Sequence, residues 1–182
     1  MKKIVTILFA AFLLTGMAQR PESSSLPLPE VITDQQLGCE ISDRGLELVK
    51  AFEGYEPFIY ADVAGYPTIG HGHLVKKGEA FIEPLLPEEA HALLKRDARN
   101  AEKDVSRAIT IPIAQHRCDA LVSLNFNIGN IKKAAPTLVK FVNQAMNEAA
   151  AKQFMVYVRA GGKVVQGLVR RRKAESNLYS GA

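Results

Sequence analysis

The chain has 182 residues, 47% of them hydrophobic and 23% charged, with a net charge of +4. That balance excludes a disordered chain, which lacks apolar residues for a core, and a membrane-embedded one, which lacks the charges. The length suits one domain with its own core plus extra chain at an end.

Residues 1–18 read as an export signal. Lys2-Lys3 make a positive start, Ile4 to Leu14 an apolar run, and Gly16-Met17-Ala18 puts small residues at the two positions a signal peptidase reads, which predicts cleavage before Gln19. The run is shorter than the ~20 residues of a comfortable membrane span. The alternative is an uncleaved anchor that tethers the protein to the membrane before release. Residues 19–40 carry Pro, Ser and Glu without periodicity and read as a flexible linker. A single domain is expected over residues 41–182.

Ser42 or Asp43 caps a helix in which Leu46, Val49 and Phe52 recur at helical spacing, and Gly54 stops it, placing Glu53 in the last turn. Phe58 to Leu74 reads as short strands with turn residues. Pro87-Glu88-Glu89 opens a helix with Leu93, Leu94, Ala98, Ala101 and Val105 on one face. A more apolar helix follows over residues 114–128, with Cys118, Leu121, Val122, Asn125 and Ile128 inward. Further helices are expected over residues 137–146, 148–159 and 168–179, with Gly161-Gly162 as a separator. The fold class is α+β, mainly α: a small hairpin lobe beside a helical lobe, with an active-site cleft between them.

Cys39 and Cys118 are the only cysteines. In an exported chain they allow one disulfide, but Cys118 also suits a buried position in its helix, and both readings stand. Between Lys132 and Glu175 there are ten Lys or Arg against two acids. This excess suits a polyanion such as acidic cell-wall polymer, or simply a solvated helical face. A nucleic-acid partner is not expected, because the export signal is the wrong address and no reading motif is present.

The chemistry concentrates between Glu53 and His73. Eight residues separate Glu53 from Asp62 and five more separate Asp62 from Thr68. Hydrolysis of a glycosidic bond needs one protonated and one ionised carboxyl group on opposite sides of the bond. Glu53 stands among Phe52, Tyr55, Phe58 and Tyr60, an apolar setting expected to raise its proton affinity and suit it to general-acid work. An arginine from Arg170-Arg171-Arg172 approaching Glu53 would oppose that rise. Asp62, in a polar hairpin, is expected to stay ionised and to hold water with Thr68. His71 and His73 lack a third metal ligand nearby, so no metal site and no cofactor are expected. His73 suits an ion pair with an acid of the helical lobe such as Asp97.

Lys50-Ala51-Phe52-Glu53-Gly54, Asp62, Gly65, Thr68-Ile69-Gly70-His71-Gly72-His73, Phe126-Asn127-Ile128-Gly129 and Gly167-Leu168-Val169-Arg170-Arg171-Arg172 together resemble the phage-type lysozymes, the endolysin family of muramidases. The resemblance runs from about Ser42 to Tyr179. It implies a lysozyme-like fold and a glycoside hydrolase with Glu53, Asp62 and Thr68 as catalytic residues. The implied substrate is peptidoglycan, cut at the β-1,4 bond between N-acetylmuramic acid and N-acetylglucosamine, with Leu74, Phe126 and Thr137 contacting glycan. A monomer acting in the periplasm or outside the cell is expected. The chain departs from the family in lacking Trp, in Tyr157 where Trp is frequent, and in His71, Cys118 and Pro136. A lytic transglycosylase needs only one acid, so Asp62 argues against it; a non-catalytic wall-binding module would have no use for all three residues.

Overall fold

A computed structural model of the chain describes residues 38–182 apart from Val63. The expected signal and most of the expected linker lie outside the described residues. Seven helices and two small sheets make up the described body: α1 (Asp43–Glu53), β1 (Glu56–Ala61), β2 (Pro67–Gly70), β3 (His73–Leu74), α2 (Pro87–Ala108), α3 (Gln115–Ile128), α4 (Ile131–Ala134), α5 (Pro136–Asn143), α6 (Asn147–Gln153), β4 (Arg159–Ala160), β5 (Lys163–Val164) and α7 (Gln166–Ser180). The architecture is the expected mainly helical α+β one.

The core is built around α3. Every residue from Cys118 to Asn125 is buried, and a helix apolar or sealed on all sides must be covered on all sides. Helices α1, α2 and α7 pack against it. Helix α2 contributes Leu93, Leu94, Ala98, Ala101 and Val105 from one face, and α1 contributes Leu46 and Val49. Ile128, expected inward, is only half-buried at the end of α3.

Helix α1 starts as its sequence suggests. Ser42 has extended backbone, and its hydroxyl accepts from the Gly45 amide at 3.3 Å. The buried Asp119 of α3 then clamps this cap, accepting from the Ser42 amide at 2.8 Å and hydroxyl at 2.6 Å. A methyl group at Gly45 would lie 2.6 Å from Ile41 Cγ1 and 2.9 Å from Asp119 Cβ, so only glycine allows this approach of α1 to α3. Gly54, at φ 78°, ends the helix.

Strands β1, β2 and β3 form an antiparallel sheet with Tyr60 opposite Thr68 and Thr68 opposite Leu74. A second cluster of Ile69, Leu85, Ala90 and Leu93 joins this sheet to α2. His73, only 4% exposed, fastens the same junction. Its Nδ1 lies 2.7 Å from Asp97 Oδ2, as expected, and its Nε2 lies 2.8 Å from Glu79 Oε2.

Two expectations are corrected. The helix expected over residues 148–159 stops at Gln153, followed by a 3-10 turn at Phe154–Val156. Residues 159–164 then form a hairpin, with Ala160 opposite Lys163 and φ of 55° and 77° at Gly161 and Gly162. Positive φ at both central residues is what a tight two-residue hairpin turn requires, so the glycines make a turn rather than a gap between helices. The second correction concerns the domain's edge. Cys39 and Glu40, placed by composition in the linker, are held to the body: the Cys39 amide donates to Ser106 Oγ at 2.9 Å and Gln115 donates to the Glu40 carbonyl at 2.8 Å.

Cys39 and Cys118 form the disulfide that the sequence left open, with Cα atoms 5.5 Å apart and a sequence separation of 79. Closing so long a loop restricts the unfolded chain, so Cys118→Ala or reduction is expected to cost about 2–4 kcal/mol. Thermal unfolding with and without reductant checks this; an unchanged midpoint would contradict the bridge. Glu79 adds a pH effect. The Lys76 amide, then His73, hold its carboxyl down at about 2 from 4.5. A depressed carboxyl stabilises the fold fully above its unfolded value and loses that contribution as the pH falls from 4.5 toward 2. Glu79→Gln should flatten the stability profile in that window, measured by denaturant titration across pH.

Candidate active site

Glu53 occupies the last turn of α1 because Gly54 lets the chain turn there into β1. Its carboxylate accepts from Arg171 Nη1 of α7 at 2.6 Å. The Arg171 side chain is 4% exposed and that of Glu53 24%. The other nitrogens of Arg171 are also used: Nε donates to Glu175 Oε1 at 3.1 Å and Nη2 to the Ser123 carbonyl at 3.3 Å. The guanidinium carbon sits 5.7 Å from the centre of the Phe52 ring. The setting expected to be apolar thus holds an ion pair. Phe58 and Tyr60 are exposed on β1, and the Tyr55 hydroxyl donates to the Leu85 carbonyl. Across the fold, the nearest partner of Glu53 is a cation.

Behind Arg171 lies a polar cluster inside the helical body. Glu175 is fully buried and accepts from Ser123 Oγ at 2.7 Å and Arg172 Nη2 at 3.1 Å. Its Oε2 lies 2.8 Å from Arg172 Nε, within ion-pair distance but not aligned as a hydrogen bond. Arg172 also donates to Asn127 Oδ1 at 3.0 Å. Burial pushes the Glu175 carboxyl up, opposed first by the charge of Arg172. Burial likewise lowers Arg172 to about 10. Two guanidinium charges thus meet two carboxylate charges, Glu53 and Glu175. Residue types near Glu53 in sequence gave no sign of Glu175, Ser123 or Asn127. The available signal was the spacing of Glu175 three and four residues after the two arginines, which puts all three on one helical face.

Asp62 and Thr68 come together within the β1–β2 hairpin. Asp62 Oδ1 accepts from the amides of Ala64 and Tyr66, both at 2.8 Å. This leaves Oδ2 without a partner among the described residues. The Asp62 amide donates to the Tyr66 carbonyl at 2.9 Å, and buried Thr68 donates to the same carbonyl through Oγ1 at 3.1 Å. Gly65, at φ 85°, makes the turn possible. His71 Nδ1 bonds the Gly54 carbonyl, tying the hairpin to the residue after Glu53.

Of the expected glycan-contacting residues, Leu74 is exposed opposite Thr68 on the sheet. Phe126 is half-buried near the end of α3, and Thr137 is exposed in the first turn of α5. Beside Asn127 an open hollow of about 500 Å³ is lined by Ile128, Tyr157, Arg159 and Leu168 among others. Tyr157 stands half-buried there, its phenol pushed up by burial.

The local bonds of Asp62 separate two of its properties. Asp62→Asn keeps an oxygen for the Ala64 and Tyr66 amides and is expected to fold with nearly unchanged stability. Asp62→Ala loses both bonds and should cost about 1–2 kcal/mol. Equal unfolding midpoints for the two variants would show that the turn does not depend on this side chain.

Residues 50–175 match the phage lysozyme family. The endolysin of Salmonella phage P22 is 35% identical over 143 residues, 77% of this chain and 97% of that protein. A crystal structure of a mutant P22 lysozyme superposes with a TM-score of 0.69 at 32% identity, covering 78% of this chain and 98% of that one. The endolysin of Bacillus phage B103 is 33% identical over 141 residues, 76% of this chain, which spans only 53% of that relative's length. The muramidase domain of SpmX from Asticaccaulis excentricus superposes with a TM-score of 0.67 at 31% identity over 76% of this chain and 96% of its own. On the extent of these matches and the shared fold, the chain belongs to the phage lysozyme family.

Proposed function

We propose that the protein is an exported muramidase that hydrolyses the β-1,4 bond between N-acetylmuramic acid and N-acetylglucosamine in peptidoglycan. The observation that carries this reading is the division of labour between two carboxylates. Glu53 ends α1 against a cation from α7, while Asp62 commits one oxygen to its own turn and keeps the other available. Relatives named endolysin and muramidase support the substrate class.

In this reading Glu53 is the general acid. With the glycan bound it donates a proton to the leaving sugar oxygen as the glycosidic bond breaks. Asp62 accepts a proton from a water that attacks the anomeric carbon from the other side, with Thr68 helping to position that water. An acid and a water on opposite faces give inversion, whereas carboxyls only about 5 Å apart would give a covalent intermediate and retention. Leu74, Phe126 and Thr137 are assigned to glycan contact. Export rests on Lys2-Lys3 and the apolar run that follows, which places the reaction in the periplasm or outside the cell.

Purified protein lacking residues 1–18 should release reducing ends from isolated sacculi. Glu53→Gln, folded by circular dichroism, should lose about 10²–10⁴-fold in rate, the usual contribution of a general acid. Mass spectrometry of the products checks the bond and the chemistry together. Hydrolysed muramic acid ends are expected; anhydro ends would replace this reading with a lytic transglycosylase, and binding without release of reducing ends would replace it with a wall-binding module.

A further inference from the structure

The buried polar cluster behind Glu53 is larger than holding one side chain requires. Arg171 alone reaches Glu53, at 2.6 Å, yet a second guanidinium, Arg172, is sealed beside it at 0% exposure. Like charges so close and so dry repel strongly unless anions separate them. Glu175 is that anion. It contacts Arg171 at 3.1 Å and Arg172 at 2.8 Å, and Ser123 fixes its Oε1 at 2.7 Å.

A count of charges shows what this does for the reaction. With Glu53 ionised, Arg171, Arg172, Glu53 and Glu175 sum to zero. Adding a proton to Glu53 leaves one uncompensated cation. If Glu175 were uncharged, the same protonation would leave two. From α7 come Arg171 on Glu53 and Arg172 behind it, α3 meets the two guanidiniums with the uncharged Ser123 and Asn127, and the hairpin brings His71 to the Gly54 carbonyl.

We propose that Glu175 is a positioning residue for the glycosidic step: it holds Arg171 on Glu53 and balances Arg172, so that Glu53 accepts its proton without leaving two uncompensated cations in the core. This rests on Glu53 being the general acid. Glu175 itself touches neither substrate nor reacting atoms and acts wholly through Arg171.

The test is the pH profile of kcat/KM, whose alkaline limb reports the acid group of the free enzyme. Glu175→Gln removes a negative charge and should move that limb toward lower pH by about one unit. Arg172→Met removes a positive charge and should move it the other way by about as much, again through neighbouring charge. A purely structural role lowers activity evenly and leaves both limbs in place. If Glu175→Gln does not fold, the direction seen with Arg172→Met decides by itself. Limbs at the wild-type position in folded variants overturn the proposal, as does movement of the same sign in both. Glu53→Gln is measured alongside: retained activity there would sink the general-acid reading, whereas an inactive Glu53→Gln with unmoved limbs sinks only the role of Glu175.

Discussion

A helix buried around its whole circumference sets the terms for everything else in this protein. Helix α3 exposes almost nothing from Cys118 to Asn125, so α1, α2 and α7 must cover it. Each of those three brings something besides apolar surface. Helix α2 holds the hairpin sheet through Ile69, Leu93 and the His73–Asp97 pair. Helix α1 delivers Glu53 and α7 delivers Arg171. The two meet because both helices are pressed against α3, and Ser123 of α3 binds both Arg171 and Glu175.

Polar groups on so deep a helix are costly unless every one is answered. Most are. Asp119 caps the start of α1, Asn125 accepts from the amide of Ile131, and Ser123 donates to Glu175. These bonds determine how α3 sits relative to its neighbours, which apolar contact alone does loosely. The same economy appears in the hairpin, where the Tyr66 carbonyl receives both the Asp62 amide and the Thr68 hydroxyl. Asp62 and Thr68 are therefore placed by one short loop rather than by the body of the fold.

The legible parts were those governed by neighbours in sequence. Glu53 at a helix end followed from Gly54, and the start of α2 followed from Pro87 and its first-turn acids. The hairpin run followed from the turn residues between Tyr60 and Thr68. The apolar stripe of α2 followed from its spacing. Harder were short elements of weak periodicity. Residues 148–159 have helix-forming composition in their first half, and nothing local announces the 3-10 turn at Phe154. Spacing alone presents the adjacent glycines as a separator between helices, whereas two positive φ angles in succession make a hairpin turn.

By itself the sequence determined the order of the longer elements, the family resemblance and which carboxylates stand at the bend between α1 and the sheet. These depend on capping, periodicity and turn chemistry, which act over a few residues. Tertiary structure alone decided the disulfide between residues 79 apart and the ion pair between residues 118 apart. It also decided that Glu53 has a cation beside it. The physical reason is the same in each case. A side chain's partner across the fold depends on how helices cross and pack, and one-dimensional spacing carries no record of that distance.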